Sequence, residues 1–534
     1  MPADNIPSRR GIQAGVLAAV LALAGCGSAS NSALGVAAIG DPADPFSTGR
    51  SAPLAEQLVR ASTSEGLVSF DEKGRVIPAL ADRWIVTDDG LSYIFRLRDG
   101  NWLSGDPLTA ASAKQAIDKA LEDTRDTPFA LDLGGIDEVR AMAGRVIEIR
   151  LARPMPYLLQ LLAQPELGLV HKQRGAGPMR LERDRGAARL TPIDPAHLGL
   201  PAIENWAQRT RRVDLRAVSG PEAVAAFNDG AVDIVMGGEI QDFPLTRSVG
   251  ILRGTIQVDP VVGLFGLQVM NNHGFLADPA NREAIAMAID RDGLIAPFSL
   301  GGWSPTTRVV SPSLDGDLGT IGERWGNQSL DERRAVAAAR VRRWQAQQGG
   351  QPAAPVSSPK ADAPKRPLQR LLSRGGNTPQ PAALSEHAPG LVVWLPQGEG
   401  SDTLFERLSA DLSAIGLRLV RSGDKDARDA DLVLIDDVAR YPRAAWFLNR
   451  LSCAERRGLC SAEADARAVE AASAATPQDR AALLTEAEAE LTAANVFIPF
   501  GTPIRWSLVR GSVDGFAPNT WGWHPLMPLA WVPK

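Results

Sequence analysis

Residues 79–110 read ALADRWIVTDDGLSYIFRLRDGNWLSGDPLTA, and their turns and alternation predict a sheet followed by a helix. Trp84-Ile85-Val86 and Leu91 to Leu97 flank Asp88-Asp89-Gly90. Asp-Gly between alternating β-formers predicts a hairpin, because glycine takes a positive φ without steric cost. In the second run Tyr93, Phe95 and Leu97 point one way and Ser92, Ile94 and Arg96 the other, the period of a half-buried strand. Asp99-Gly100 and Gly105-Asp106-Pro107 supply turns. Leu108-Thr109-Ala110 then leads into a helix with Ala113, Ile117, Ala120 and Leu121 on one face.

At 534 residues the chain exceeds one compact core and implies two or three globular units. Its 44% hydrophobic and 22% charged content is that of a folded protein. A net charge of −5 carries no basic excess for a nucleic-acid surface. The N-terminus reads as an address. Arg9-Arg10 precede an apolar run from Ile12 to Ala24, too short for the ~20 residues that span a bilayer. It ends at Leu23-Ala24-Gly25-Cys26, which resembles a bacterial lipobox whose cysteine is acylated. Residues 1–26 are thus expected to be a lipoprotein signal peptide and 27–33 a tether, with the mature chain held outside the cytoplasmic membrane by lipid on Cys26. Cys453 and Cys460, across a short polar loop in an exported chain, read as a disulfide, with a redox pair or metal site as the alternative.

Short strands and helices alternate from Leu34 to about Val262. Pro221 to Asn228 reads as a helix ending before Gly230. Leu264 to Met270 is nearly continuous apolar sequence, as in a strand buried on both faces. Residues 345–390 are rich in Gln, Pro, Ala and Ser, and are expected to form a flexible insertion. Beyond it, Leu391 to Leu395, a helix with Leu404, Leu408, Leu412 and Ile415, and strands Leu417 to Val420 and Asp431 to Ile435 spell an α/β unit. A long helix, Asp479 to Ala494, precedes Val496-Phe497-Ile498-Pro499.

The succession Glu65-Gly66-Leu67-Val68, Asp71, Gly74, Pro78-Ala79-Leu80-Ala81, Trp84, Asp88-Asp89-Gly90, Phe95-Arg96-Leu97-Arg98-Asp99-Gly100, Trp102, Gly105 and Leu108-Thr109-Ala110 resembles the dipeptide- and oligopeptide-type (family 5) solute-binding proteins of ABC transporters. Gly175 to Leu181, Gly230-Ala231-Val232-Asp233-Ile234, and Asn271 with Arg282-Glu283-Ala284 and Ala288-Ile289-Asp290-Arg291 are similar to later landmarks of that family. Trp446-Phe447-Leu448 with Cys453 and Cys460 resembles a disulfide loop found in some members.

The resemblance implies a periplasmic-binding-protein-like α/β fold: two lobes joined by hinge strands, with an extra subdomain on the first. On this reading lobe one is 34–262 plus 496–534, and lobe two is 263–344 plus 391–495. The crossings are placed near Leu264–Met270 and Val496–Phe500. It implies a monomer that captures a peptide or peptide-like solute and delivers it to an ABC permease in the inner membrane by hinge closure, with no nucleic-acid partner and no cofactor. A sensor or assembly lipoprotein with the same fold, or a binder of a sugar, opine or metal chelate, is the alternative.

No catalytic or metal set stands against that reading. The five histidines are scattered, and neither a GxSxG elbow nor a Walker A loop is present. Gly398-Glu399-Gly400 lacks the third glycine of a dinucleotide loop and fits a βα turn. Candidate ligand-binding residues are Asp436 and Asp437, which follow the strand Leu432 to Ile435, with Arg440 and Tyr441 beside them. Peptide-binding relatives carry an amine-receiving Asp four residues before a Pro here. Counting back from Pro442 gives Val438, with Asp437 one position earlier. Asn271 and the aromatic side chains Trp394 and Trp523 complete the set.

Overall fold

The computed structural model describes residues 33–48, 52–250, 254–314, 321–348, 389–423, 427 and 429–533. The expected lipobox with Cys26, and most of the expected insertion, lie outside them. The edges of that insertion are regular structure instead: the helix Leu330–Gln348 runs into it and the strand Gly390–Trp394 begins at its end. No described helix is long and apolar enough to cross a membrane.

Two large sheets organise the molecule. The first has seven strands, in the order Met179–Asp184, Ala187–Pro192, Val213–Val218, Leu34–Ile39, Ile234–Gly238, Arg505–Val509 and Ile256–Asp259. Leu34–Ile39 lies at its centre, parallel to both neighbours, and its apolar residues Leu34, Val36 and Ala38 pack with Leu58 and Val59 of the helix Leu54–Thr63. The second has five strands, in the order Arg418–Arg421, Gly390–Trp394, Leu432–Val438, Gly263–Val269 and Phe497–Gly501. Gly263–Val269 is buried at every position, as a strand covered on both faces must be. Its antiparallel ladder holds Leu432–Val438 in register as far as Val438. Asp436 and Asp437 therefore sit inside the end of that strand rather than after it.

The chain passes from the first sheet to the second between Asp259 and Gly263, and back between Gly501 and Arg505. The strands expected to make the crossings belong wholly to the second sheet. The short segments on their first-sheet side make them instead.

The hairpin of residues 79–110 opens a third, four-stranded antiparallel sheet, in the order Ala81–Val86, Ser92–Leu97, Val146–Leu151 and Ile136–Ala141. Gly90 has φ +68°, and its N–H donates to Thr87 O at 2.8 Å, closing the turn. Tyr93, Phe95 and Leu97 are buried, whereas Arg96 is exposed. The helix Ala110–Asp123 starts at Thr109, whose side chain and that of Ser112 cap each other's backbone. This small sheet is the extra subdomain of the first lobe. Its helical segment Phe129–Leu133 packs against Ala444–Arg450 of the second lobe, and Tyr157, just before Leu158–Leu162, stacks on Tyr441.

Candidate functional site

Where the lobes meet, charged side chains from distant parts of the chain form one seam. Asp436 lies near the end of the central strand of the second sheet, Leu432–Val438. Its Oδ1 accepts from Arg505 Nη1 at 2.7 Å, and Arg505 Nη2 donates to Asp436 O at 2.8 Å. Arg505 opens the first-sheet strand after the return crossing, and Glu239, just past Ile234–Gly238, lies 3.5 Å from it. Burial drives Asp436 up to about 7 against the pull of Arg505, and Glu239 and Asp437 add to the rise. Burial also opposes the Arg505 charge, but Asp436 and Glu239 outweigh it and hold the guanidinium above its ordinary value.

Asp437 faces a different set. Its Oδ2 accepts from Arg457 at 2.6 Å and from Arg450 at 3.3 Å. Burial would raise its pKa, but these two guanidinium groups outweigh that and hold it below the ordinary carboxylate value. Arg457 belongs to the loop closed by the Cys453–Cys460 disulfide, whose Cα atoms are 5.2 Å apart. That loop is pinned to the second sheet, since Leu459 N donates to Val269 O at 2.7 Å. The sequence expectation of a disulfide holds, and its loop supplies a partner for Asp437.

Arg440 crosses to the subdomain side. It pairs with Glu166 at 2.7 Å, donates to Gln164 Oε1 at 3.3 Å, and lies 4.8 Å over the Phe129 ring. Burial opposes both charges of the pair. Arg440 nevertheless holds Glu166 below its ordinary value, and Glu166 with Asp132 and Asp437 holds Arg440 above its own. Tyr441 stacks on Tyr157, with centroids 4.1 Å apart, and its hydroxyl donates to Asp132 at 2.7 Å. Asp132 also accepts from Asn449 at 3.0 Å, yet burial still raises its pKa.

These groups are enclosed but not dry. The side chains of Asp437 and Arg440 keep 29% and 31% of their accessible surface, which places them in a cleft that water reaches. Two acceptors in the seam stand out. Asp436 Oδ2, on a side chain only 9% accessible, and Glu166 Oε2 have no hydrogen-bond partner among the described residues. A buried carboxylate oxygen left unmatched costs about 1–3 kcal/mol, and a proton or an incoming donor relieves it.

The glycines at 398 and 400 explain how closely the lobes approach. Gly400 N donates to Gln241 O at 2.9 Å, and a Cβ on Gly400 would fall 1.9 Å from Ile240 O. Gly398, at φ +146°, would put a Cβ 2.5 Å from Gln241 O. Both are small because backbone meets backbone across the lobes.

Of the residues singled out in the sequence, the structure brings Asp436, Asp437 and Arg440 together. It sets four others apart. Tyr441 is fully buried and spends its hydroxyl on Asp132. Asn271 donates to Asp431 Oδ1 at 2.9 Å, at the opposite end of the strand pair, where Asp431 Oδ2 also accepts from Val392 N. Trp394 is half-buried against the core. Trp523 packs on the far side of the first sheet, near Phe516 and Met527. Tyr441 and Asn271 have their polar atoms matched locally, and Trp394 and Trp523 are half-buried, Trp523 on the wall of another cavity.

Arg505, Glu239, Glu166, Gln164, Arg450 and Arg457 were not found from the sequence. No local pattern marks them, since their partners lie up to 276 positions away. Among the described residues no cluster of three or more His, Cys, Asp or Glu side chains suits a metal ion.

Comparison with known proteins gives the same frame. Residues 75–340 match the model of bacterial extracellular solute-binding proteins, family 5 Middle. A probable deoxycholate-binding periplasmic protein of Escherichia coli is 27% identical over 316 residues, which are 52% of this chain and 56% of that protein. The oligopeptide-binding protein OppA of Bacillus subtilis is 23% identical over 288 residues, 48% of this chain and 52% of that one. The chain thus spans about half the length of the curated relatives it matches. The murein tripeptide binding protein MppA of Escherichia coli superposes with a TM-score of 0.73 at 18% identity, covering 95% of this chain and 99% of that one. The fold is that of the family 5 periplasmic binding proteins, and residues 75–340 match the model of that family's middle region.

Proposed function

We propose that this chain captures a peptide-like solute bearing a free amine between its two lobes, outside the cytoplasmic membrane, and hands it to an ABC permease. The observation that carries the reading is the pair of unmatched acceptors, Asp436 Oδ2 from the second lobe and Glu166 Oε2 from the first. An ammonium group is the donor that matches such oxygens, and it adds charge where burial has made negative charge costly. Asp436, rather than Asp437, takes the amine on this account, because Asp437 is already held by Arg450 and Arg457. No bond is made or broken. Affinity arises from contacts that exist only when both lobes are in place. Tripeptides provide the test in thermal-shift measurements. Free-amine tripeptides are expected to raise the Tm and their N-acetylated forms to fail. Equal shifts from both forms contradict the amine assignment.

A sensor or assembly role without transport is the second reading. It is favoured by Arg440 and Glu166, which tie the lobes together with the protein's own charges. Uptake of a bound tripeptide by vesicles holding the cognate permease separates the two readings.

A further inference from the structure

A cavity of about 560 Å³ lies between the subdomain and the helices of the second lobe, sharing Tyr157 and Asn449 with the edge of the seam but none of Asp436, Asp437 or Arg440. Its subdomain wall carries Arg153 and Tyr157, and its second-lobe wall carries Arg443 and Arg480. Asp465 is the one carboxylate on the lining, and its Oδ2 already accepts from Cys453 N at 2.9 Å. Among the described residues, neither Arg153 nor Arg480 has an ion-pair partner, and both are half-buried. Burial holds the Tyr157 hydroxyl above its ordinary pKa, and Asp132 adds to the rise; the nearby charges of Arg153 and Arg480 act against it without reversing it. Two cations and a hydroxyl thus share the walls of one cavity. Leu131, Leu448, Leu484 and Val469 give the lining an apolar stretch, beside the polar Asn449, Ser452 and Ser473.

We infer that this cavity binds an amphipathic organic acid, its carboxylate held by Arg153, Arg480 and Tyr157 and its hydrocarbon body against the leucine-lined wall. The volume falls within the ~300–1,000 Å³ of small-molecule sites, and such sites join an apolar lining to a few convergent polar groups. Guanidinium groups bind carboxylates through paired donors, most strongly where water is partly excluded. A cavity that sets Arg153 and Arg480 beside hydrocarbon walls suits neither a neutral apolar molecule nor a hydrophilic anion. Because its walls come from both lobes, a bound acid also holds the subdomain against the second lobe.

Calorimetry with decanoate, below its micelle-forming concentration, tests the assignment on the purified chain. Decanoate is expected to bind, acetate to show no heat, and decyltrimethylammonium to bind at least tenfold more weakly than decanoate. Arg153→Gln with Arg480→Gln is expected to weaken decanoate at least tenfold while the Tm in its absence stays within a few degrees of the parent. Should that double variant unfold, the single Arg480→Gln variant, at a half-exposed helix position, gives the same comparison. Asp436→Asn is expected to leave decanoate affinity unchanged, so the inference does not rest on the proposed solute site. Absence of decanoate binding, equal binding of the cationic surfactant, unchanged affinity in the arginine variants, or loss of affinity in Asp436→Asn overturns it.

Discussion

At the scale of single residues, Asp436 is the most unusual titrating group in the seam. Its pKa stands at about 7 against an ordinary 3.8, so the folded chain binds a proton that the unfolded chain releases. The stability linked to this group is full below its unfolded value and is lost as pH rises through about 7. Asp436→Asn keeps the shape and removes the titration. The Tm of the variant minus that of the parent is therefore expected to increase between about pH 4 and pH 7, and a difference that stays flat contradicts the account. Arg440 gives a second prediction. Removing one partner of a fully buried pair costs about 3–5 kcal/mol. Arg440 and Glu166 retain 31% and 18% accessibility, so Arg440→Ala is expected to cost less, about 1–3 kcal/mol in chemical denaturation. The acids at 436 and 437 were visible in the sequence because they end an apolar strand. Which of them has an open acceptor was not visible, because Arg450, Arg457 and Arg505 reach them only through tertiary folding.

At the scale of elements, the disulfide loop and the Gly398–Gly400 turn do the positioning. The loop between Cys453 and Cys460 presents Arg457 to Asp437, so opening it acts at the seam as well as on stability. Replacing both cysteines by serine is expected to cost about 2–3 kcal/mol by loop entropy, read by urea denaturation. Gly400→Ala would drive a methyl group into Ile240 O, and is expected to cost at least about 1–3 kcal/mol. Unchanged stability in that variant would show that the lobes do not meet there in solution. The hairpin of 79–110 and the apolar strand at 263–269 were legible because local alternation and burial determine them. The crossings were misplaced onto the strands beside them because apolar runs mark burial, whereas the true crossings, 260–262 and 502–504, are short and contain proline.

At the scale of the whole molecule, two sheets joined by two short crossings, with charge pairs spanning the lobes, are the parts that the proposed hinged clamp requires. The family resemblance in residues 65–110 led to this architecture but not to its ligand, since that stretch builds the subdomain and the proposed ligand groups lie elsewhere. Small-angle X-ray scattering of the chain, with and without a tripeptide shown by calorimetry to be bound, tests the clamp most directly. The account predicts a smaller radius of gyration in the bound state. An unchanged radius with tripeptide bound would contradict it.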